Sequence, residues 1–245
     1  MTFIRRTSGS VRSLDATTPG LVAWYPVGFG PGAFADALNG YDLQPIGGLA
    51  VMGIQGRNFW ASVQDGYLEE IGQAAALNIT GDLTIQWLGG WQKLQSNEAS
   101  SPGPFGALGL VTHGETGATA AENTTYAIEY VNSDLAFQFT QESGTKVAEG
   151  IGTPNLYAAS GVRHWAVTRS GNQLAYYCDG FPMFPPLFPL SGPPSGGSNG
   201  RLRVFQGIDT SADRPRAFMR DLQICNVALT AQQVFEQKTK ALGFL

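Results

Sequence analysis

The run His164-Trp165-Ala166-Val167-Thr168-Arg169, then Ser170-Gly171-Asn172, then Gln173-Leu174-Ala175-Tyr176-Tyr177-Cys178 and Asp179-Gly180 decides the fold. Two short runs of β-branched, aromatic and small apolar residues flank a turn-forming Ser-Gly-Asn. In the second run Leu174, Tyr176 and Cys178 fall on one face, with Ala175 and Tyr177 on the other. That is the two-residue period of a strand, and the pair reads as an antiparallel hairpin. Working outward, the same period recurs at Leu83, Ile85 and Trp87, with Thr84 and Gln86 opposite. Tyr126–Val131 and Leu135–Gln141 flank Asn132-Ser133-Asp134 as a second hairpin, and Glu142-Ser143-Gly144-Thr145 turns the chain again before Lys146–Ala148. Arg201–Phe205 and Ala217–Cys225 supply further strands. Many short strands joined by Gly-rich turns indicate a sandwich or barrel.

One helix is expected near the end. Thr230 and Gln233 form a capping box, Leu229 and Val234 a hydrophobic staple, and Ala231–Lys240 runs on to Gly243. Two stretches read as loops: Ser96–Ala121, small and polar, and Phe181–Gly200, where repeated prolines forbid a helix or a central strand. The proline loop should be extended, with apolar side chains splayed outwards. Residues 1–19 form a polar arm that cannot fold alone, ahead of a single domain at 20–245.

Composition narrows the classes. The chain has 245 residues, 43% of them hydrophobic and only 14% charged, with 32 Gly and 14 Pro. This excludes a disordered chain, a coiled coil and a mainly helical bundle. A formal net charge of −4 argues against nucleic-acid binding. No apolar run reaches the ~18 residues of a membrane span. Nor does an apolar stretch follow Arg5 and Arg6, so an unprocessed product of the cytoplasm is expected. Cys178 and Cys225 are too few for a disulfide framework and read as buried thiols.

Three segments together resemble the concanavalin A-like lectin/glucanase superfamily, in its laminin-G-like or pentraxin-like form. They are Gly20–Pro26 with Asp36–Leu43, the His164–Gly180 hairpin, and Met219–Thr230; Ala76–Trp87 adds a weaker match. The resemblance implies an all-β, two-sheet antiparallel jelly-roll sandwich with one short C-terminal helix. In some members turn carboxylates bind calcium, which brings Asp36, Asn39 and Asp221 forward as ligands. Calcium takes about six to eight oxygens, however, and Asx residues at turns are common for backbone reasons alone. No cofactor is therefore expected.

Catalytic signals are missing. The glucanase branch carries alternating carboxylates on one strand, so that acid and nucleophile share a face. Here Glu69 and Glu70 are adjacent and would point apart, and Glu129 and Asp134 straddle a turn. His164 takes a structural strand position, and His113 reads as solvated in a Gly-rich loop. A sugar platform is conceivable at Trp60, Tyr67 and Trp91, with Asp65 and Gln92 nearby. Trp24, Trp87 and Trp165 read as core.

The first expectation is thus a non-enzymatic structural protein. Phage virion proteins resemble this superfamily, which implies a capsid decoration or cement protein located in the virion. Its partners would be other virion proteins, including copies of itself, met through Phe3, Ile4, Arg5 and Arg6 of the arm and Phe184, Leu187 and Phe188 of the proline loop. The alternatives are a carbohydrate-binding module that recognises host-surface glycans and a tail or fibre component.

Overall fold

The computed structural model describes residues 17–27, 34–54, 57–91, 107–114, 124–131, 134–140, 146–152, 162–183, 188–190, 192, 200–206 and 217–242. In chain order the strands are β1 (Leu21–Tyr25), β2 (Leu43–Ile54), β3 (Arg57–Glu70), β4 (Leu83–Trp91), β5 (Ala107–Gly114), β6 (Thr124–Val131) and β7 (Asp134–Thr140). There follow β8 (Lys146–Gly152), β9 (Arg163–Ser170), β10 (Gln173–Cys178), β11 (Phe181–Pro182), β12 (Phe188–Pro189), β13 (Arg201–Val204) and β14 (Ala217–Cys225). A 3-10 turn at Ala75–Leu77 and the helix α1 (Ala231–Leu242) complete the described elements. The fold is all-β, antiparallel and jelly-roll-like, with one short C-terminal helix.

Hydrogen bonding runs in the order β11-β10-β9-β4-β14-β3-β13-β5-β6-β7-β8, with β1 beside β14, β12 beside β10 and β2 beside β3. This ribbon curls over on itself, and β3 makes the corner. Its Trp60 and Ala61 pair with Met219 and Phe218 of β14. Its Leu68 and Glu69 pair with Val204 and Arg203 of β13. Along its other edge β2 follows from Leu43–Glu70 to Ile54–Arg57, with a bulge where Gly48 faces both Gln64 and Asp65. A bulge bends a strand and sharpens its twist. Gly47 is left-handed (φ +72°), and a Cβ on Gly66 would collide with the Gly48 carbonyl and the Leu49 nitrogen.

The two halves of the ribbon face each other across one core. Ile85, Trp87, Trp165, Val167, Leu174 and Tyr176 come from one half; Val111, Tyr126, Ile128, Phe137 and Leu202 come from the other. The Phe137 N–H donates to the Tyr176 hydroxyl at 2.9 Å, a direct bond between the halves. Trp87 and Trp165 stack at 6.5 Å inside, the core position expected of them. Outside the β9–β10 face, α1 covers Ala166, Ala175 and Tyr177 with Leu229 and Val234. Its capping box forms as expected: the Gln233 N–H donates to Thr230 Oγ1 at 3.3 Å, and the Thr230 N–H to Gln233 Oε1 at 2.8 Å.

Two expectations change. The stretch Ser96–Ala121 is not all loop, because its residues Ala107–Gly114 form β5 between β13 and β6. Buried on both faces and rich in Gly, β5 shows no polar alternation to read. The proline loop is extended at both ends, but it folds back along the edge of β10 rather than splaying outwards throughout. Pro182 pairs with Tyr177 and Phe188 with Leu174. Met183 packs against the core and Leu190 is buried, leaving Phe181 exposed. Pro182 and Pro189 lie on a sheet edge, where a missing N–H is tolerated.

Cys178 and Cys225 are free and buried, and burial pushes both thiols up to about 12. Among the described residues no helix is long and apolar enough to cross a membrane.

The corner predicts a contrast between two glycines. Gly66→Ala should lower stability by about 1–3 kcal/mol through overpacking. Gly53→Ala, where a Cβ would meet nothing within 4 Å, should change it by under ~0.5 kcal/mol. Urea unfolding of both variants checks this; equal midpoints would contradict the close approach at Gly66.

Candidate functional site: the aromatic corner at Phe181 and Phe235

The hairpin that decides the fold ends in a two-residue turn. Asp179 (φ +51°) and Gly180 (φ +80°) link the paired residues Cys178 and Phe181. Positive φ at both central positions is the type I′ geometry that Asp-Gly favours. The Asp179 carboxylate fixes the turn. It accepts the His164 N–H at 3.0 Å and an Arg163 guanidinium N–H at 2.5 Å, while the Asp179 N–H donates to the His164 carbonyl at 2.7 Å.

Gly180 lets α1 come close: a Cβ there would lie 3.0 Å from Phe235 Cα and from its ring. Phe181 therefore meets Phe235 edge to face, with ring centroids 5.7 Å apart and planes at 68°. One turn further along α1, the Lys238 Nζ sits 5.8 Å from the centre of the Phe235 ring. Phe181 remains 62% exposed and Phe235 39%. Two phenyl rings thus stand in water beside a partly exposed Arg163–Asp179 ion pair and a lysine.

Beneath them His164 is wholly buried. Its Nε2 lies 3.1 Å from Gln86 Oε1, and the Gln86 amide donates to Gln223 Oε1 at 2.7 Å. Burial pushes His164 down to about 4; Lys238 acts in the same direction and Asp179 opposes it. It is neutral at pH 7, a structural residue as expected. His113 is a correction. It is 1% exposed rather than solvated, with no hydrogen-bond partner at either ring nitrogen, and it stacks on Tyr126 at 5.3 Å. Burial first, then Arg203, brings it to about 4.

The other residues marked by sequence serve the fold. Trp60 is buried and stacks with Phe34 at 6.2 Å, and Tyr67 packs against the core, so neither is a sugar platform. The side chains of Asp65 and Trp91, and all of Gln92, lie outside the described residues. The Asp36 carboxylate accepts backbone N–H groups from Trp24, Leu38, Asn39 and Tyr41, at 2.9 to 3.3 Å. Asn39 donates to the Val22 carbonyl, and Asp221 pairs with Arg220. These groups tie a loop and a bulge in place. Glu69 pairs with Arg201 and Arg203, each at 2.8 Å, and Glu70 accepts the Ala74 and Leu202 N–H groups. Among the described residues no three His, Cys, Asp or Glu gather as a metal site. Phe3, Ile4, Arg5, Arg6, Phe184 and Leu187 lie outside the described residues; Phe188 is placed by its backbone alone.

Phe235 escaped the sequence reading. The available signal was a bulky aromatic beside, rather than on, the inward row of α1 that carries Val234 and Gln237.

No family model matches the chain, and no curated protein does. Solved structures do match its fold. The binding domain of Paraclostridial Mosquitocidal Protein 1 aligns with a TM-score of 0.69 at 13% identity, over 91% of this chain and 53% of that one. The binding domain of botulinum neurotoxin DC, in complex with rat synaptotagmin II, gives 0.64 at 11% identity, over 91% and 52%. A botulinum neurotoxin type C structure, of a toxin that depends upon interaction with two ganglioside molecules to enter cells, gives 0.64 at 13%, over 91% and 51%. At such identities the likeness establishes the fold: a β-rich, jelly-roll-like architecture shared with toxin binding domains. The chain spans about half the length of these structures. The resemblance drawn from sequence is met at the level of this fold.

Both histidines hold protons more weakly folded than unfolded. Stability is therefore complete above the unfolded value of 6.5 and falls as the pH drops from there towards about 4. His113→Phe removes two unpartnered buried nitrogens. It should raise stability by about 1–3 kcal/mol and flatten part of that fall. Urea unfolding at a series of pH values checks this; a destabilised variant with an unchanged pH profile would contradict it.

Proposed function

We propose that this chain is a non-catalytic recognition module that binds an oligosaccharide at the Phe181–Phe235 corner. The observation that carries the reading is the pair of adjacent, water-exposed phenyl rings flanked by Arg163, Asp179 and Lys238. The apolar C–H face of a sugar stacks on an aromatic ring, and its hydroxyls take hydrogen bonds from nearby charged groups. Two cations against one carboxylate favour an acidic sugar.

The structural neighbours support the same choice. They are binding domains, one dependent upon two ganglioside molecules and another, of botulinum neurotoxin DC, in complex with SialylT. The carboxylates Glu69 and Glu70 are engaged by arginines and backbone N–H groups rather than poised as a hydrolytic pair. A virion decoration role rests on the arm and the proline loop, and none of the structures named here is a particle component. Glycan recognition is therefore the better supported reading.

A glycan panel tests it, with the wild-type chain beside Phe181→Ala and Lys238→Glu. Saturable binding that falls at least about tenfold in Phe181→Ala, and in Lys238→Glu for acidic glycans, is expected. Both variants should keep their unfolding midpoint, since exposed positions contribute little to stability. Binding that survives both substitutions, or no glycan bound at all, would overturn the proposal.

A further inference from the structure

The curled ribbon has edges, and the chain treats them unequally. Along β10 the edge is covered by β11 and β12, whose Pro182 and Pro189 offer no N–H to a further strand. Along β2 there is no such cover. On one side β2 pairs with β3 throughout its length; among the described residues no strand pairs with its other side. A row of main-chain N–H and C=O groups is left facing outwards.

The sequence of β2 does nothing to blunt that row. Leu43–Ile54 reads Leu-Gln-Pro-Ile-Gly-Gly-Leu-Ala-Val-Met-Gly-Ile, without one charged side chain, and its single proline lies at the end remote from the Ile54–Arg57 turn. Val51 is 37% exposed and Met52 41%. Adjacent residues of a strand point to opposite faces, so both faces of this edge are apolar at the same place. Soluble proteins guard long edges with lysines, prolines or inward charges; residues 49–54 carry none of these.

We infer that β2 is a self-association edge, occupied by β2 of a second copy of this chain. Only an extended strand satisfies a row of alternating donors and acceptors. The occupant must also bring apolar side chains to both faces and no charge, and a second β2 meets each requirement. Antiparallel pairing about a two-fold axis near Val51 lays Leu49–Gly53 of one copy along the same segment of the other, the self-complementary geometry of a closed dimer. Each copy carries a formal net charge of −4, but none of it lies on this strand, so pairing opposes no like charges at the contact. The joined edges continue the sheet from one molecule into the next. The edge is separate from the Phe181–Phe235 corner and does not depend on the glycan reading.

Sedimentation velocity and hydrogen exchange on the full chain, across a wide concentration series, test the inference. The expected result is a monomer–dimer equilibrium, with amides of Leu49–Gly53 that become protected as concentration rises. Met52→Lys and Val51→Pro should each weaken the dimer about tenfold or more. Met52→Lys keeps the β2–β3 backbone intact and should leave the unfolding midpoint of the monomer unchanged, so loss of the dimer is not loss of the fold. A monomer at every concentration would overturn the inference, as would a dimer indifferent to both substitutions. Protection of Leu49–Gly53 independent of concentration would place the chain's own residues on the edge and overturn it equally. Protection that appears only when an unrelated strand peptide is added would assign the edge to a foreign partner.

Discussion

At Gly66 the backbone of β3 lies so close to the Gly48 carbonyl that no side chain fits between them. That contact lets the β2–β3 hairpin bend where Gly48 faces two residues of β3 at once. Because it bends there, the first part of β3 pairs with β14 and the last part with β13. The two halves of the ribbon are thereby laid face to face, and Trp87 and Trp165 find themselves in the same core as Tyr126 and Phe137. A straight β3 would extend one open sheet, with an apolar face left in water.

Carboxylates do similar work at the turns. Asp36 gathers four backbone N–H groups, which would otherwise lack partners as the chain leaves β1. Asp179 gathers one backbone N–H and the Arg163 guanidinium where β10 turns into β11. Both acids satisfy donors that a sheet ladder cannot reach, and a buried donor left alone costs about 1–3 kcal/mol. The second of these turns is what sets Phe181 against Phe235. The recognition corner is thus a by-product of a tight turn, a glycine and a helix packed on the outside of the sheet.

The parts legible in the sequence are those fixed by neighbours along the chain. The His164–Gly180 hairpin carries its own turn residues and its own alternation. The helix announces itself through Thr230, Gln233 and the Leu229–Val234 staple. The long β2–β3 hairpin was not singled out, since Gly47, Gly48 and Gly53 break its pattern and its edge strand has no polar face. Residues 107–114 were hidden by burial on both faces. The aromatic corner was half legible. Phe181 was marked as part of an apolar proline loop, whereas Phe235, far along the chain, could be joined to it only by the docking of α1. Trp60 failed as a sugar platform for the opposite reason: its strand turns the ring inwards, against Phe34 and Tyr25.

The most direct measurement is an NMR titration of the isotopically labelled chain with a sialylated oligosaccharide, following the amide and aromatic resonances. The account predicts saturable shifts confined to Phe181, Phe235, Lys238 and the Asp179-Gly180 turn. Shifts centred on another face of the sandwich, or none at any ligand concentration, would contradict it.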